Sequence, residues 1–207
     1  MGVELLGQHA YDQVSITELA RAAGISKGLL YHYFPTKSAF VVAVLRQSRE
    51  QLEQRMALDM SLDPVARLDA NLDAYLSLVE DHSAGYQALA RARHGEDAAI
   101  RGELARGRRQ RVSMLIDFAA ALAEVDRAEL ESPALETVLV GWLSFSEEVV
   151  VRWLSEREFS RDQVRQLLRH AFFANLASVA GVDQTAAAKR LAEAAEQSAA
   201  APVSVSP

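Results

Sequence analysis

Lys27, Gly28, Tyr31 and His32 form the group whose types and spacing best suit chemistry with an external partner. Spacing of i, i+1 and i+4 puts Lys27, Gly28 and Tyr31 on one helix face, with Leu29 and His32 flanking it. An ammonium, a phenolic hydroxyl and an imidazole can donate to phosphates or base edges. A residue without a side chain lets a partner approach the backbone, so the whole face suits a major groove. Thr17 and Ser26, each near a helix N-terminus, bring hydroxyl and backbone N–H groups to phosphates. Lys37, at the start of the next helix, adds a point charge. The competing reading makes Tyr31, Tyr33 and Phe34 core aromatics of a helical hairpin; it is adopted for Phe34 and preferred for Tyr33.

Charge distribution supports an anionic partner. The 207-residue chain carries a net charge of −6, yet no Asp or Glu lies between Leu19 and Arg49. Arg21, Lys27, Lys37, Arg46 and Arg49 all fall in that window, and two of the chain's Lys are among them. Distant acids are screened within about 10 Å, so a local basic patch on an acidic protein can still hold phosphate.

The elements that position these residues are helices. Half of the chain is hydrophobic and 24% is charged, with 10 Gly, 5 Pro and no Cys. That composition suits neither a turn-rich all-β protein nor disulfide, Cys–zinc or thiol chemistry. Apolar runs fall well short of the ~18 residues of a membrane span, and Met1-Gly2-Val3-Glu4 opens no signal peptide. A soluble, cytoplasmic, all-α protein with no membrane attachment is the expectation.

Helix punctuation divides the chain. Ser15-Ile16-Thr17-Glu18 has capping-box spacing, and Gly24 stops the helix that follows. Ser26 caps a short helix that ends before Pro35, and Thr36 caps a long one through Met56. Asp63-Pro64 opens a helix to about Asp81, and Ser83 to Arg93 a short one. Glu96 to Val125 reads as a long helix broken near Gly102 and Gly107. Ser132-Pro133 opens an apolar helix to about Arg157, and the Ser160–Gln163 capping box one to about Val179. The expected domains are a helix-turn-helix unit over 1–45, a helical bundle over 46–183, and an Ala-rich frayed helix and disordered tail over 184–207.

Two short helices flanking Gly24-Ile25-Ser26 have helix-turn-helix arithmetic. Ala20 is small where they would cross, and Leu19, Ala23, Ile25, Leu30 and Phe34 can share a core. Residues 15–45, above all the dense stretch Gly24-Ile25-Ser26-Lys27-Gly28-Leu29-Leu30-Tyr31-His32-Tyr33-Phe34-Pro35-Thr36-Lys37-Ser38-Ala39-Phe40, resemble the DNA-binding segment of the tetracycline-repressor (TetR) family. The resemblance implies a three-helix DNA-binding unit followed by a helical domain that binds a small effector and dimerises. By that analogy Ser26, Lys27, Tyr31, His32 and Lys37 touch DNA, mostly phosphates. Gly28 and Leu29 face base edges, and Thr17 contacts the backbone.

One departure stands out. The family's first helix runs about four turns, whereas only Gly2 to Ala10 precede Tyr11-Asp12. This implies either a misplaced start, the preferred reading, or a truncated first helix with weakened DNA binding.

In the larger domain, Tyr75, Tyr86, Met114, Phe118, Trp142 and Phe145 are candidates for an apolar effector pocket, each singly better read as core. Glu147 and Glu148 interrupt an apolar helix. Glu148 is carried as the candidate pocket anchor for a cationic or hydroxyl-bearing effector, against the slightly preferred reading of both as a solvated stripe or partners of Arg152. Leu167, Leu168, Phe172, Phe173, Leu176 and Val179 make a broad stripe. It suits either a two-fold dimer built from the helices near 133–157 and 160–179 or packing within the chain. The Arg106–Arg111 run reads as a solvated face with Glu103 a possible partner.

No metalloprotease, nucleophile-elbow, phosphate-loop or di-iron pattern occurs, so neither catalysis nor a cofactor is expected. The expected function is a ligand-responsive DNA-binding regulator, more readily a repressor than an activator, acting as a homodimer on a double-stranded operator. The alternative is a helical ligand-binding or interaction module with impaired DNA binding. Operator sequence, effector identity and regulated genes are not encoded in these patterns.

Overall fold

The computed structural model describes residues 17, 20–21, 24–55, 62–92 and 97–200. Every regular element among them is helical. The expectations for the chain's first helix, for the Ser15–Glu18 capping box, and for Leu19 and Ala23 lie outside the described residues.

Thr17, Ala20 and Arg21 are helical and precede α1, Lys27–Tyr33. There follow α2, Lys37–Arg55; α3, Pro64–Asp81; α4, Ser83–Ala92; and α5, Ala98–Ala123. A one-turn helix α6, Arg127–Leu130, leads to α7, Pro133–Glu156, and α8, Arg161–Ser178. A 3₁₀ turn over Val179–Gly181 joins α8 to α9, Ala186–Ala200.

The caps work as the sequence implies. Ser26, Thr36 and Ser132 each accept from a backbone N–H three residues on, and Ser160 with Gln163 closes a reciprocal capping box. α5, however, is not broken at Gly102 or Gly107. It runs unbroken to Ala123, because an isolated glycine costs only about 1 kcal/mol of helix propensity and packing on either side outweighs it.

The chain divides into two compact units that do not follow chain order. The first comprises residues 1–56 and 77–107, the second 57–76 and 108–207. In the first, Ala20, Leu30, Phe40, Val41 and Val44 share a core with Ile100, while Ile25, Phe34, Val42, Leu45 and Leu104 pack against it. The unit therefore extends past residue 45, since Ile100 and Leu104 of α5 complete its core.

In the second unit Phe172 is the hub. Its ring meets Phe118 at 5.5 Å, Trp142 at 4.8 Å and Phe173 at 5.6 Å, each edge-on. Trp142 Nε1 donates to the Leu168 carbonyl at 3.1 Å, which ties α7 to α8. Arg169 and Arg165 of α8 meet Asp69 of α3 at 3.2 and 3.5 Å.

The frayed helix expected from residue 184 forms over 186–200, and it is packed rather than frayed. α9 packs along α8 and buries Ala187, Ala188, Leu191, Ala192 and Ala195. Ala187, Ala188, Ala192 and Ala195, at i, i+1, i+5 and i+8, flank Leu191 on one low-relief face that lets two helices approach closely, so the Ala-rich composition builds an interface.

Candidate nucleic-acid interface

The turn before α1 comes first. Gly24 has φ +67°, its N–H donates to the Arg21 carbonyl at 3.1 Å, and the Ile25 N–H reaches back to the Ala20 carbonyl at 3.0 Å. Those two bonds are a Schellman closure, and a left-handed residue at its centre calls for glycine. Ser26 then restarts the chain as α1 by accepting from the Leu29 N–H at 3.1 Å. The two helices are thereby set at a fixed angle over Ala20, which is 3% exposed.

α1 shows one side to the core and the rest to the outside. Leu30 alone is buried among its seven residues, while Lys27, Gly28, Leu29, Tyr31, His32 and Tyr33 are all exposed. Lys27 Nζ lies 5.8 Å from the centroid of the Tyr31 ring, as the shared face requires. The exposed side chains offer ammonium, phenol and imidazole donors with an apolar Leu29 among them, and no acid. Thr17 and Ser26 are exposed, and Lys37 is half-buried at the start of α2.

Tyr33 departs from the core reading. It is 67% exposed, with its ring centroid 5.4 Å from that of His32, edge to face. The helix ends at Tyr33, and Phe34, at φ −131°, turns inward to meet Phe40 at 5.3 Å. One aromatic fills the interior site, leaving the other outside. Pro35, by ending the helix before Phe34, is the sequence signal for this split.

Among the described residues nothing requires a glycine at 28. A Cβ built there would meet, of these, only Ser26 Oγ, at 4.0 Å. Glycine inside a helix costs roughly 0.5–1 kcal/mol relative to alanine, so this position gives up stability without serving the protein's own packing.

Comparison with known proteins agrees with this geometry. Residues 2–44 match the description "Bacterial regulatory proteins, tetR family", and residues 64–175, over half of the chain, match "Tetracyclin repressor-like, C-terminal domain". The chain belongs to the TetR family. The TetR-family protein is 25% identical over 165 residues to the HTH-type transcriptional repressor KstR of Rhodococcus jostii, spanning 79% of this chain and 74% of KstR. It is 32% identical over 88 residues to the HTH-type transcriptional activator FasR of Mycolicibacterium smegmatis, spanning 42% of this chain and 40% of FasR. A crystal structure of a tetR-family regulator from Streptomyces coelicolor superposes with a TM-score of 0.76 at 27% identity, covering 95% of this chain and 84% of that one. The protein is thus an all-α transcriptional regulator with an N-terminal helix-turn-helix, in a family whose members bind DNA operators and typically dimerise.

Not every cation of the acid-free window in this TetR-family protein faces outward. Arg49 Nη1 donates to Glu103 Oε1 at 2.6 Å, and Arg46 Nε to Glu103 Oε2 at 3.1 Å. Burial would raise the Glu103 carboxyl, but the hydrogen bonds from Arg49 and Arg46 outweigh it and hold the group below the usual carboxylate range. Arg46 and Arg49 thus spend charge within the unit, Arg46 with its side chain still exposed, while Arg21 and Lys27 are exposed cations beside α1.

Of the expected effector residues, Tyr86 belongs to the first unit and the others to the second. Phe118 and Trp142 are buried around Phe172, while Met114 and Tyr75 are half-buried in the second unit and Tyr86 is half-buried in the first. Phe145, 40% exposed, and Glu148 stand on the outer side of α7, so neither lines the interior of the described chain. Glu147 takes the inward place instead, at 4% exposure. It accepts from Arg108 Nη2 at 2.7 Å and Arg111 Nη2 at 2.9 Å, so the two arginines expected on a solvated face turn inward. A helix rotates 100° per residue, which separates adjacent glutamates into one buried and one exposed.

The dimer stripe is also revised. Leu168, Phe172, Phe173, Leu176 and Val179 are at most 1% exposed within the single chain, so packing inside the chain uses them. Of that stripe only Leu167 is exposed, at 44%.

Among the described residues, no helix is long and apolar enough to cross a membrane.

Proposed function

We propose that this TetR-family protein is a homodimeric repressor that a small molecule releases from its operator, and that its role is regulatory rather than catalytic. The observation that carries the DNA reading is the outer face of α1. It combines exposed Lys27, Tyr31, His32 and Tyr33 with a glycine the fold does not need. In this reading Lys27, Tyr31, His32, Tyr33, Ser26, Thr17 and Lys37 hold phosphates, while Gly28 and Leu29 meet base edges. Two copies of α1 enter successive major grooves about 34–36 Å apart.

The partner copy meets the outward sides of α7 and α8, where Phe145 and Leu167 are exposed beside Gly141 and Ala174. KstR's title as a repressor supports the direction of regulation, although FasR is titled an activator. The effector acts by binding more tightly to a conformation with the wrong recognition-helix spacing.

The test is fluorescence anisotropy on duplex DNA from upstream of the protein's own gene, at two salt concentrations, with Tyr31→Ala as control. Specific binding lost in the control supports the reading. Absence of specific binding, with effector absent, refutes it in favour of a helical ligand-binding or interaction module.

A further inference from the structure

α5 holds α2 at two polar points within the first unit. The first involves Asp97, the residue before α5. Its Oδ1 accepts from the Ala99 N–H at 3.0 Å and the Ile100 N–H at 3.2 Å, which caps α5. Its Oδ2 accepts the Ser38 hydroxyl. The second is Glu103, which receives Arg46 and Arg49. Between them Ile100, 1% exposed, fills the core beside Val41 and Val44.

The first point matters for function because of where Ser38 sits. Thr36 caps α2 by accepting from the Ala39 N–H at 3.0 Å, and Ser38 lies in that first turn, directly after Lys37. A carboxylate bound both to the α5 cap and to Ser38 fixes this turn against α5. The bond is charge-assisted and so among the stronger hydrogen bonds available there.

From this geometry we infer that Asp97 is a positioning residue for DNA binding: through Ser38 it holds the first turn of α2, and with it Lys37, in the attitude that meets the phosphate backbone. The inference rests on the DNA reading given above. It makes a prediction opposite to plain electrostatics. Asp97 is an acid close to a phosphate-binding surface, so its charge alone opposes DNA, and removing it would tighten binding. Positioning requires removal to weaken binding instead.

The experiment is anisotropy of the full chain on its operator duplex at fixed salt, with Asp97→Ala, Asp97→Asn and Ser38→Ala, beside thermal melting of each. Asn keeps an acceptor for the α5 cap and turns its Nδ2 to Ser38, whose hydroxyl can accept from it, and it carries no charge. Ser38→Ala breaks the link and leaves the α5 cap intact, so it separates positioning from folding. Asp97→Ala and Ser38→Ala are expected to weaken operator binding about tenfold. Asp97→Asn should bind within about threefold of the wild type or tighter, because the link survives and the opposing charge is gone.

Tighter or unchanged binding by Asp97→Ala and Ser38→Ala overturns the inference. So does an Asp97→Asn loss equal to that of Asp97→Ala, since the amide keeps a bond to Ser38 that alanine lacks and that bond would then make no difference. A wild-type chain that binds no operator overturns the DNA reading itself, whereas wild-type binding that all three variants retain overturns this inference alone.

Discussion

Arg49 Nη1 lies 2.6 Å from Glu103 Oε1, joining the middle of α2 to the second turn of α5 through a carboxylate that is only 3% exposed. Its carboxyl is held below the ordinary glutamate value, so the bonds from Arg49 and Arg46 exceed the cost of burial. A depressed folded pKa contributes stability that is fully present above the unfolded value and lost as pH falls through the folded one. The first unit should therefore keep a constant stability from neutrality down to about pH 4.5 on this group's account and lose it below. Glu103→Gln should remove that acid-side slope and lower the neutral-pH stability. Denaturant midpoints for both chains across pH 3 to 7 check it. Matching pH profiles would mean that Glu103 is not the group responsible.

The same pair divides the cations of the acid-free window by task. Each phosphate neutralised contributes about −0.9 to the slope of log K against log salt. Lys27→Ala and Lys37→Ala should each reduce that slope by about 1 and weaken specific and random duplexes alike. Arg46→Ala should leave the slope unchanged, because its guanidinium already serves Glu103. Anisotropy titrations over a salt series measure all three, and a reduced slope for Arg46→Ala would place that side chain on the DNA.

Glu147 and Glu148 give a contrast one residue apart. Glu147 receives Arg108 and Arg111 in the interior, while Glu148 is exposed. Removing one member of a fully buried ion pair costs about 3–5 kcal/mol. Here the Arg108 and Arg111 side chains remain 27% and 36% exposed and can turn to water. Glu147→Ala should therefore cost less, about 1–2 kcal/mol. Glu148→Ala should stay within about 0.5 kcal/mol. Chemical denaturation of the two variants settles the contrast, and equal losses would argue against the inward place of Glu147.

What the sequence made legible was local. Gly24, Ser26, Pro35, Thr36, Pro133 and the Ser160 box state where helices start and stop, since caps and turns depend on a few adjacent residues. The outer face of α1 was readable for the same reason: its residues lie within two turns. The misjudged features depend on residues far apart in the chain. Glu103 lies 54 residues from Arg49, and Glu147 lies 39 from Arg108, separations no local periodicity encodes. The α8 stripe was visible as apolar, but nothing in the sequence showed that α9, read as a frayed helix, packs along it. Low side-chain volume made α9 look frayed when it signals close approach.

α9 supplies its own test. Leu191 is fully buried, with Ala187, Ala188 and Ala195 on the same side. Leu191→Ala should cost about 2–4 kcal/mol, the range for truncating a buried leucine. Lys189→Ala, on the exposed side, should stay within about 0.5 kcal/mol. Melting curves decide it: an Ala-rich tail without packing would tolerate both equally.

Gly28 offers a test in which stability and function move in opposite directions. Its backbone is helical, it is exposed, and a Cβ there meets nothing among the described residues closer than 4.0 Å. Alanine should therefore stabilise the chain by roughly 0.5–1 kcal/mol, since it restricts the unfolded state without strain in the folded one. If the DNA backbone or a base edge approaches this position within van der Waals distance, the added methyl must push it away. Each displaced base contact is worth about 1–3 kcal/mol, so operator affinity should fall by tenfold or more. Random duplexes, held chiefly by phosphate contacts, should lose far less. The measurement is a melting curve beside paired titrations on operator and random DNA. A chain that melts higher and binds the operator as well as before would show that nothing approaches Gly28, and would move base reading away from this face of α1.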